Sequence, residues 1–486
     1  MTTRWVRTAA LVAVLVAAGC SSGDSAPPTA LPVVTTTSVP ATATSTTRPA
    51  SAVPGITAGS VRIGLLVPDI DRWRAGGGAA PDGLTTAVVI NRASAPLERW
   101  NASGGVNGRL AVAVPITWNP ADPKSYDVAC RLAATELDLF VVLNASGFAP
   151  ERLPCIAVDG PTTVLSGEVL GQGLYADAKD TLFGLLPPAE LTLQTALADA
   201  VRVGTLPRDA VVGVLRGNRD VQLDAWDRAR RVLEQNAVRV AFADPLNTAS
   251  STNAQIQIEA GQTVARMRQM GVTHVLVLVP VRDVSSFITQ ASITSSAFRY
   301  VMVETSGTGC SPLVAAASPA EMDGAICYSA LDTHRYDVTG AIQRDTTFEA
   351  QCRRDHELVS GVRTTPGIPA GGVVQGELRL DADVPYLECS LVNLVKLALA
   401  RIGDEPTRDA FAGALRALRD VPLAGVAAGR GGFGPAKPYA ATQIRAFVFR
   451  AVRPEVARGG DGLFRGCPAP RSCFLGSGEW ITLDTR

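Results

Sequence analysis

Two regimes of apolar spacing alternate along most of the chain. Short, almost wholly apolar runs read as strands buried on both faces: Val61–Val67, Leu110–Trp118, Leu137–Leu143, Ala210–Leu215, Arg239–Ala243, His274–Val279 and Tyr300–Val303. Between them, apolar residues recur at helical spacing over Leu84–Trp100, Tyr126–Thr135, Leu191–Val203, Leu223–Gln235, Ala254–Met270 and Val284–Ser292. Gly104-Gly105 closes the first of these helices, where glycine suits a left-handed stop. Later the pattern predicts helices over Cys389–Ile402 and Arg408–Arg419 and a strand over Thr442–Arg450.

Apolar strands alternating with helices imply parallel sheets covered on both faces. Two such stretches, 60–185 and 195–320, predict an α/β fold of two doubly wound, Rossmann-like lobes joined by a hinge. The expected division gives 56–190 with 325–405 to the first lobe, 191–324 with 406–455 to the second, and 456–486 to a C-terminal extension.

The N-terminus reads as an address. Arg4 and Arg7 precede a short apolar run, Ala9–Ala18, too short to span a bilayer as a helix. Ala17-Ala18-Gly19-Cys20 then resembles a bacterial lipobox, which makes Cys20 the expected lipidation site; an ordinary secretory signal containing a cysteine is the alternative. Residues 21–55 are rich in Ser, Thr, Pro and Ala and have little to bury, so they read as an extended tether. The expected location is extracytoplasmic, with the chain anchored to the cell membrane by lipid.

Charge and composition narrow the chemistry. Lys+Arg 45 balances Asp+Glu 45, which argues against electrostatic nucleic-acid binding. The histidines are His274, His334 and His356 alone. Cys352 and His356 share a helix face, but no CxxC pair completes a metal site, and neither a metal nor a cofactor is expected. With Cys20 set aside, Cys130, Cys155, Cys310, Cys327, Cys352, Cys389, Cys467 and Cys473 form an even set in an exported chain and read as disulfides. Nearest-neighbour pairing is the expectation, although order alone leaves the connectivity open. Enzymatic signatures are weak. No phosphate loop ending in Gly-Lys-Ser/Thr occurs, and His356-Glu357 lacks a zincin's second histidine. Gly171-Gln172-Gly173-Leu174-Tyr175-Ala176 fits only a relaxed dinucleotide pattern. The chain is read as a non-enzyme.

Three segments occur in a telling order: Arg62-Ile63-Gly64-Leu65-Leu66, then Val89-Ile90-Asn91, then Trp100-Asn101-Ala102-Ser103-Gly104-Gly105-Val106-Asn107-Gly108-Arg109. This order resembles the leucine/isoleucine/valine-binding proteins, type I periplasmic binding proteins that serve ABC transporters. Cys130 and Cys155 bracket the third strand as that family's first disulfide does, and Leu391–Gly403 resembles its late helix. The family's aromatic-Gly pair is replaced here by Gly217-Asn218-Arg219-Asp220.

In open α/β sheets, ligands bind beyond the carboxyl ends of strands. The candidates there are Asn144-Ala145-Ser146-Gly147-Phe148, Ser166-Gly167, Arg282, Glu304 and, as an apolar wall, Trp73. The resemblance implies that the first two loops hold an amino-acid carboxylate and that Glu304 holds its ammonium; tight structural turns and a solvated glutamate are the alternatives. The expected function is capture of a small polar, amino-acid-like solute and its delivery to an ABC transporter permease. The alternative is a sensing or structural envelope lipoprotein on the same fold.

Overall fold

From Ser60 to Arg202 the chain alternates strand and helix: β1 (Ser60–Pro68), α1 (Ile70–Ala75), α2 (Thr86–Ala102), β2 (Leu110–Trp118), α3 (Pro123–Arg131), β3 (Val141–Asn144), α4 (Pro154–Ala157), β4 (Thr163–Ser166), α5 (Gln172–Ala178), β5 (Leu182–Gly184) and α6 (Ala189–Arg202). The alternation then repeats with β6 (Val211–Gly217), α7 (Asp220–Gln235), β7 (Arg239–Phe242), β8 (Pro245–Leu246), α8 (Asn253–Gln269), β9 (His274–Leu278), α9 (Val281–Ile293), β10 (Arg299–Val303) and β11 (Ile326–Ser329). The remainder comprises α10 (Thr347–Ser360), β12 (Val373–Val374), β13 (Glu377–Leu378), α11 (Tyr386–Ile402), α12 (Arg408–Arg416), β14 (Val421–Pro422), β15 (Arg430–Gly431), β16 (Gln443–Arg450) and β17 (Cys473–Thr482). The computed structural model describes residues 53–76, 84–160, 162–218, 220–246, 253–305, 310, 318–332, 344–361, 364, 373–374, 377–378, 384–403, 406–451 and 473–483. The signal segment with Cys20, most of the tether and Cys467 lie outside them, as does the side chain of Cys473.

The first sheet has the order β2-β1-β3-β4-β5, and all its pairings are parallel. The second contains β7-β6-β9-β10-β11 in the same order and sense, extended at one edge by antiparallel β16 and β17. Each parallel set therefore reverses direction of growth beside its first strand, β1 or β6. That reversal opens a crevice at the carboxyl ends of the strands.

The inner strands bury both faces, as their composition requires: Val61, Ile63, Leu65 and Leu66 of β1 and all of Val141–Asn144 are buried. β2, expected to be buried on both faces, lies at the sheet edge and leaves Leu110 and Val112 exposed. A separate cluster on the second sheet joins Phe287, Phe447, Phe449 and Phe474. The predicted strand Leu137–Leu143 begins only at Val141, because Asp138 adopts a left-handed φ of 47° that breaks the extended run. β4, β5, β11 and β17 were not apparent in the pattern.

The lobe boundaries differ from expectation at three places. β11 was expected with the first lobe but hydrogen-bonds to β10 of the second sheet. α12 was expected with the second lobe but packs on the first: Arg408 donates to Leu139 O at 2.9 Å, and the Phe140 and Phe411 rings stack edge-on at 5.0 Å. The C-terminal extension contributes β17 to the second sheet. The reason is local. α11 and α12 return to the first lobe, and Ala440 and Ala441 donate to Gly184 O and Leu185 O there, before β16 joins the second sheet.

The Trp100–Arg109 stretch is a structural clamp at the amino end of β2. Asn101 pairs with both backbone groups of Ala111, accepting at 2.7 Å and donating at 2.8 Å. Gly105 has φ +82°, and a Cβ there would lie 2.3 Å from Arg109 O. Asn107 donates to Leu399 O at 3.0 Å and Arg109 to Gly403 O at 3.3 Å, which ties the turn to the end of α11.

Cys130–Cys155, Cys310–Cys327 and Cys352–Cys389 are paired, with Cα atoms 5.7–6.0 Å apart. These are three of the four expected bridges.

Candidate functional site

Two loops leave the first sheet side by side, because Asn144 of β3 stands opposite Ser166 of β4. They are laced together by their own polar groups. Asn144 is fully buried, and its amide nitrogen donates to Phe148 O at 3.2 Å and to Ser166 Oγ at 3.3 Å. Its Oδ1 is buried and finds no hydrogen-bond partner among the described residues. Gly167 N–H donates to Asn144 O at 2.6 Å, and Glu168 N–H donates to Ser166 Oγ at 3.1 Å.

The next contact was not anticipated. Gly147, at φ +83° in the turn, donates its N–H to Glu168 Oε1 at 2.9 Å. Burial pushes the Glu168 carboxyl up to about 7; the Gly147 hydrogen bond opposes that shift and the nearby Glu388 carboxylate adds to it. Glu388 comes from the first turn of α11, whose Leu387 also lies close to Gly167. Thus the Gly147 amide and the Ser166 hydroxyl, both expected to face a ligand carboxylate, already have internal partners. Ala145 and Ser146 remain half-exposed on the loop. Phe148 is a core residue, in contact with the rings of Trp118 and Tyr126 at 5.6 and 5.2 Å.

Along the matching end of the second sheet, β6, β9 and β10 are neighbours. Glu304, just beyond β10, is 3% exposed; its N–H donates to Tyr328 O at 3.0 Å and its carboxylate accepts the Ser329 hydroxyl. Thr305 beside it is buried, and its hydroxyl has no partner among the described residues. Gln222, in the first turn of α7 after β6, is fully buried, and neither amide atom finds a partner among the described residues. It shares the inward stripe of α7 with Ala225, Trp226, Ala229 and Leu233, so a polar residue on an apolar stripe was its visible signal. Arg282 occupies the first turn of α9, and its side chain lies outside the described residues. Glu304 sits in the second sheet and the Asn144–Glu168 group in the first.

No protein-family model matches the chain, and no curated protein sequence matches it. Solved structures do. A branched chain amino acid ABC transporter protein from Thermus thermophilus with bound valine superposes with TM-score 0.60 at 13% identity, over 87% of this chain and 97% of that one. A leucine-, isoleucine-, valine-, threonine- and alanine-binding protein from Brucella ovis, in a closed conformation, gives 0.59 at 13% identity over 87% and 95%. A solute binding protein from R. palustris in complex with 4-hydroxybenzoate gives 0.56 at 11% identity over 87% and 98%. The fold is that of the type I periplasmic binding proteins.

Within this fold, the other candidates have structural employment. Trp73 lies in α1, half-buried against the first core. His274 pairs through Nδ1 with Thr273 Oγ1 at 2.9 Å, and burial lowers its pKa below the ordinary range. The Gly171 segment opens α5, where the Gln172 N–H is held by the Glu190 carboxylate at 3.0 and 3.1 Å. Three surface cavities of about 340, 360 and 410 Å³ contain none of the candidate residues. No group of three or more His, Cys, Asp or Glu among the described residues is arranged to hold a metal, and no helix among them is long and apolar enough to cross a membrane.

Proposed function

We propose that this chain is an extracytoplasmic solute-binding protein. It encloses a small polar solute between the loop-bearing ends of its two sheets and presents the closed form to an ABC transporter permease, held at the membrane by lipid on Cys20. Neighbours of the same fold bind valine and 4-hydroxybenzoate, and a small organic solute of that size is the class carried over. One observation carries the reading: at or beyond the carboxyl ends of the parallel strands in both sheets lie buried polar groups with no partner among the described residues, namely Asn144 Oδ1 in one and Gln222 and Thr305 in the other. Orphaned buried polar atoms are destabilising by about 1–3 kcal/mol each unless something satisfies them. A bound solute would do so. Ala145, Ser146 and Glu168 are the proposed contacts in the first lobe, and Arg282, Glu304 and Thr305 in the second. Closure follows from better affinity for the closed arrangement than for the open one.

Mass spectrometry of small molecules released from the purified protein tests this. A stoichiometric solute is expected. The internal engagement of Gly147 and Ser166 favours one second reading, an envelope protein whose cleft holds nothing; an empty protein that binds no solute would support it.

A further inference from the structure

We infer that the first-lobe loops take the cationic end of the solute, an ammonium or guanidinium group, and exclude a carboxylate. The inference rests on the binding role proposed above and names its ligand class.

An unoccupied turn at the carboxyl end of a strand offers free N–H groups and attracts an anion. Here that offer is reduced by the chain itself. The Gly147 N–H is donated to Glu168 Oε1 at 2.9 Å, and Ser166 Oγ already receives the Asn144 amide and the Glu168 N–H. The Ser146 and Ser166 hydroxyls keep their protons as donors, but the charged groups on and beside these loops are acceptors. Glu168 brings a carboxylate, and Glu388 adds a second negative charge from α11. The independent observation is Asn144: its side chain is fully buried, and Oδ1 is an acceptor with no donor among the described residues. Its orientation is fixed, because flipping the amide would set oxygen against Phe148 O, which now accepts from Nδ2. The Glu168 carboxylate, which accepts one hydrogen bond from Gly147, and the orphaned amide oxygen of Asn144 stand on the same pair of loops. A ligand carboxylate would bring more acceptors and like charge; an ammonium or guanidinium group brings N–H donors and the opposite charge.

Calorimetry on the purified full chain tests this with two probes: agmatine, which carries an ammonium and a guanidinium but no carboxylate, and glutarate, which carries two carboxylates. Agmatine is expected to bind at pH 8. Its affinity should fall about tenfold at pH 6, where Glu168, facing Glu388 and the Gly147 N–H, is mostly protonated. Glu168→Gln should weaken agmatine tenfold or more at pH 8 and remove the pH dependence. The pH comparison on the unaltered protein keeps the test decisive if the variant folds poorly. Glutarate binding, agmatine binding indifferent to both pH and Glu168→Gln, or no agmatine binding overturns the inference. If a solute is still retained in that last case, the binding role stands and only the cationic class falls; if none is retained, both fall.

Discussion

Gly105 and Glu168 show how differently single residues declare themselves. Gly105 sits in the chain's most distinctive motif, and its positive φ and close approach to Arg109 O explain why glycine is needed. Gly105→Ala should destabilise the protein by about 1–3 kcal/mol, read as a lower urea midpoint, without altering solute affinity. Glu168 has no motif; a glutamate after Ser166-Gly167 looks like any surface carboxylate until the fold brings it to Gly147. Its folded carboxyl titrates at about 7 against an ordinary 4.5. Between those values the folded chain holds the extra proton, so the Glu168 contribution to stability is greatest below pH 4.5 and is lost as pH rises through 7. Melting temperature of the unliganded protein against pH should therefore show a Glu168 contribution that falls over this window. Glu168→Gln should remove that contribution; an identical slope in both proteins would contradict the placement of Glu168.

Elements were legible where an apolar run or a helical period stood out; β17, ten residues long, was missed because Gly476-Ser477-Gly478-Glu479 interrupts its apolar run. Long apolar strands such as β1, β2 and β9 and helices such as α2, α7 and α11 lay in the sequence pattern. β4, β5 and β11 are three or four residues long and carry no period of their own; β4 owes its place to β3 and β5 on either side. The site followed the same rule. Asn144, Ser146 and Glu304 could be nominated because they follow apolar runs and Ser166 through the family resemblance, whereas Glu388 reaches the loops only through the placement of α11. That placement has visible supports. Cys352–Cys389 fastens the start of α11 to α10, and Ser390 exchanges hydrogen bonds with Ala424 N and O at 2.7 and 3.1 Å. Replacing both Cys352 and Cys389 by Ser should lower stability in denaturant by about 2–4 kcal/mol, given the 37-residue separation. An unchanged unfolding midpoint would mean that α11 is held without the bridge.

At the scale of the whole molecule, two sheets of one strand order are joined by segments that leave and rejoin the first sheet. This explains why the resemblance in sequence was carried by the Trp100–Arg109 clamp, which binds the turn before β2 to the end of α11. The clamp specifies the fold and sits at the opposite end of the strands from the loops, so it carries no information on the solute. Binding between the lobes requires both sheet ends to contact one ligand. Hydrogen exchange with and without the retained solute measures this most directly. Added protection is expected together at 144–148 and 166–168 in the first lobe and at 279–283 and 304–305 in the second. Protection confined to one lobe, or absent from both, would contradict capture between them.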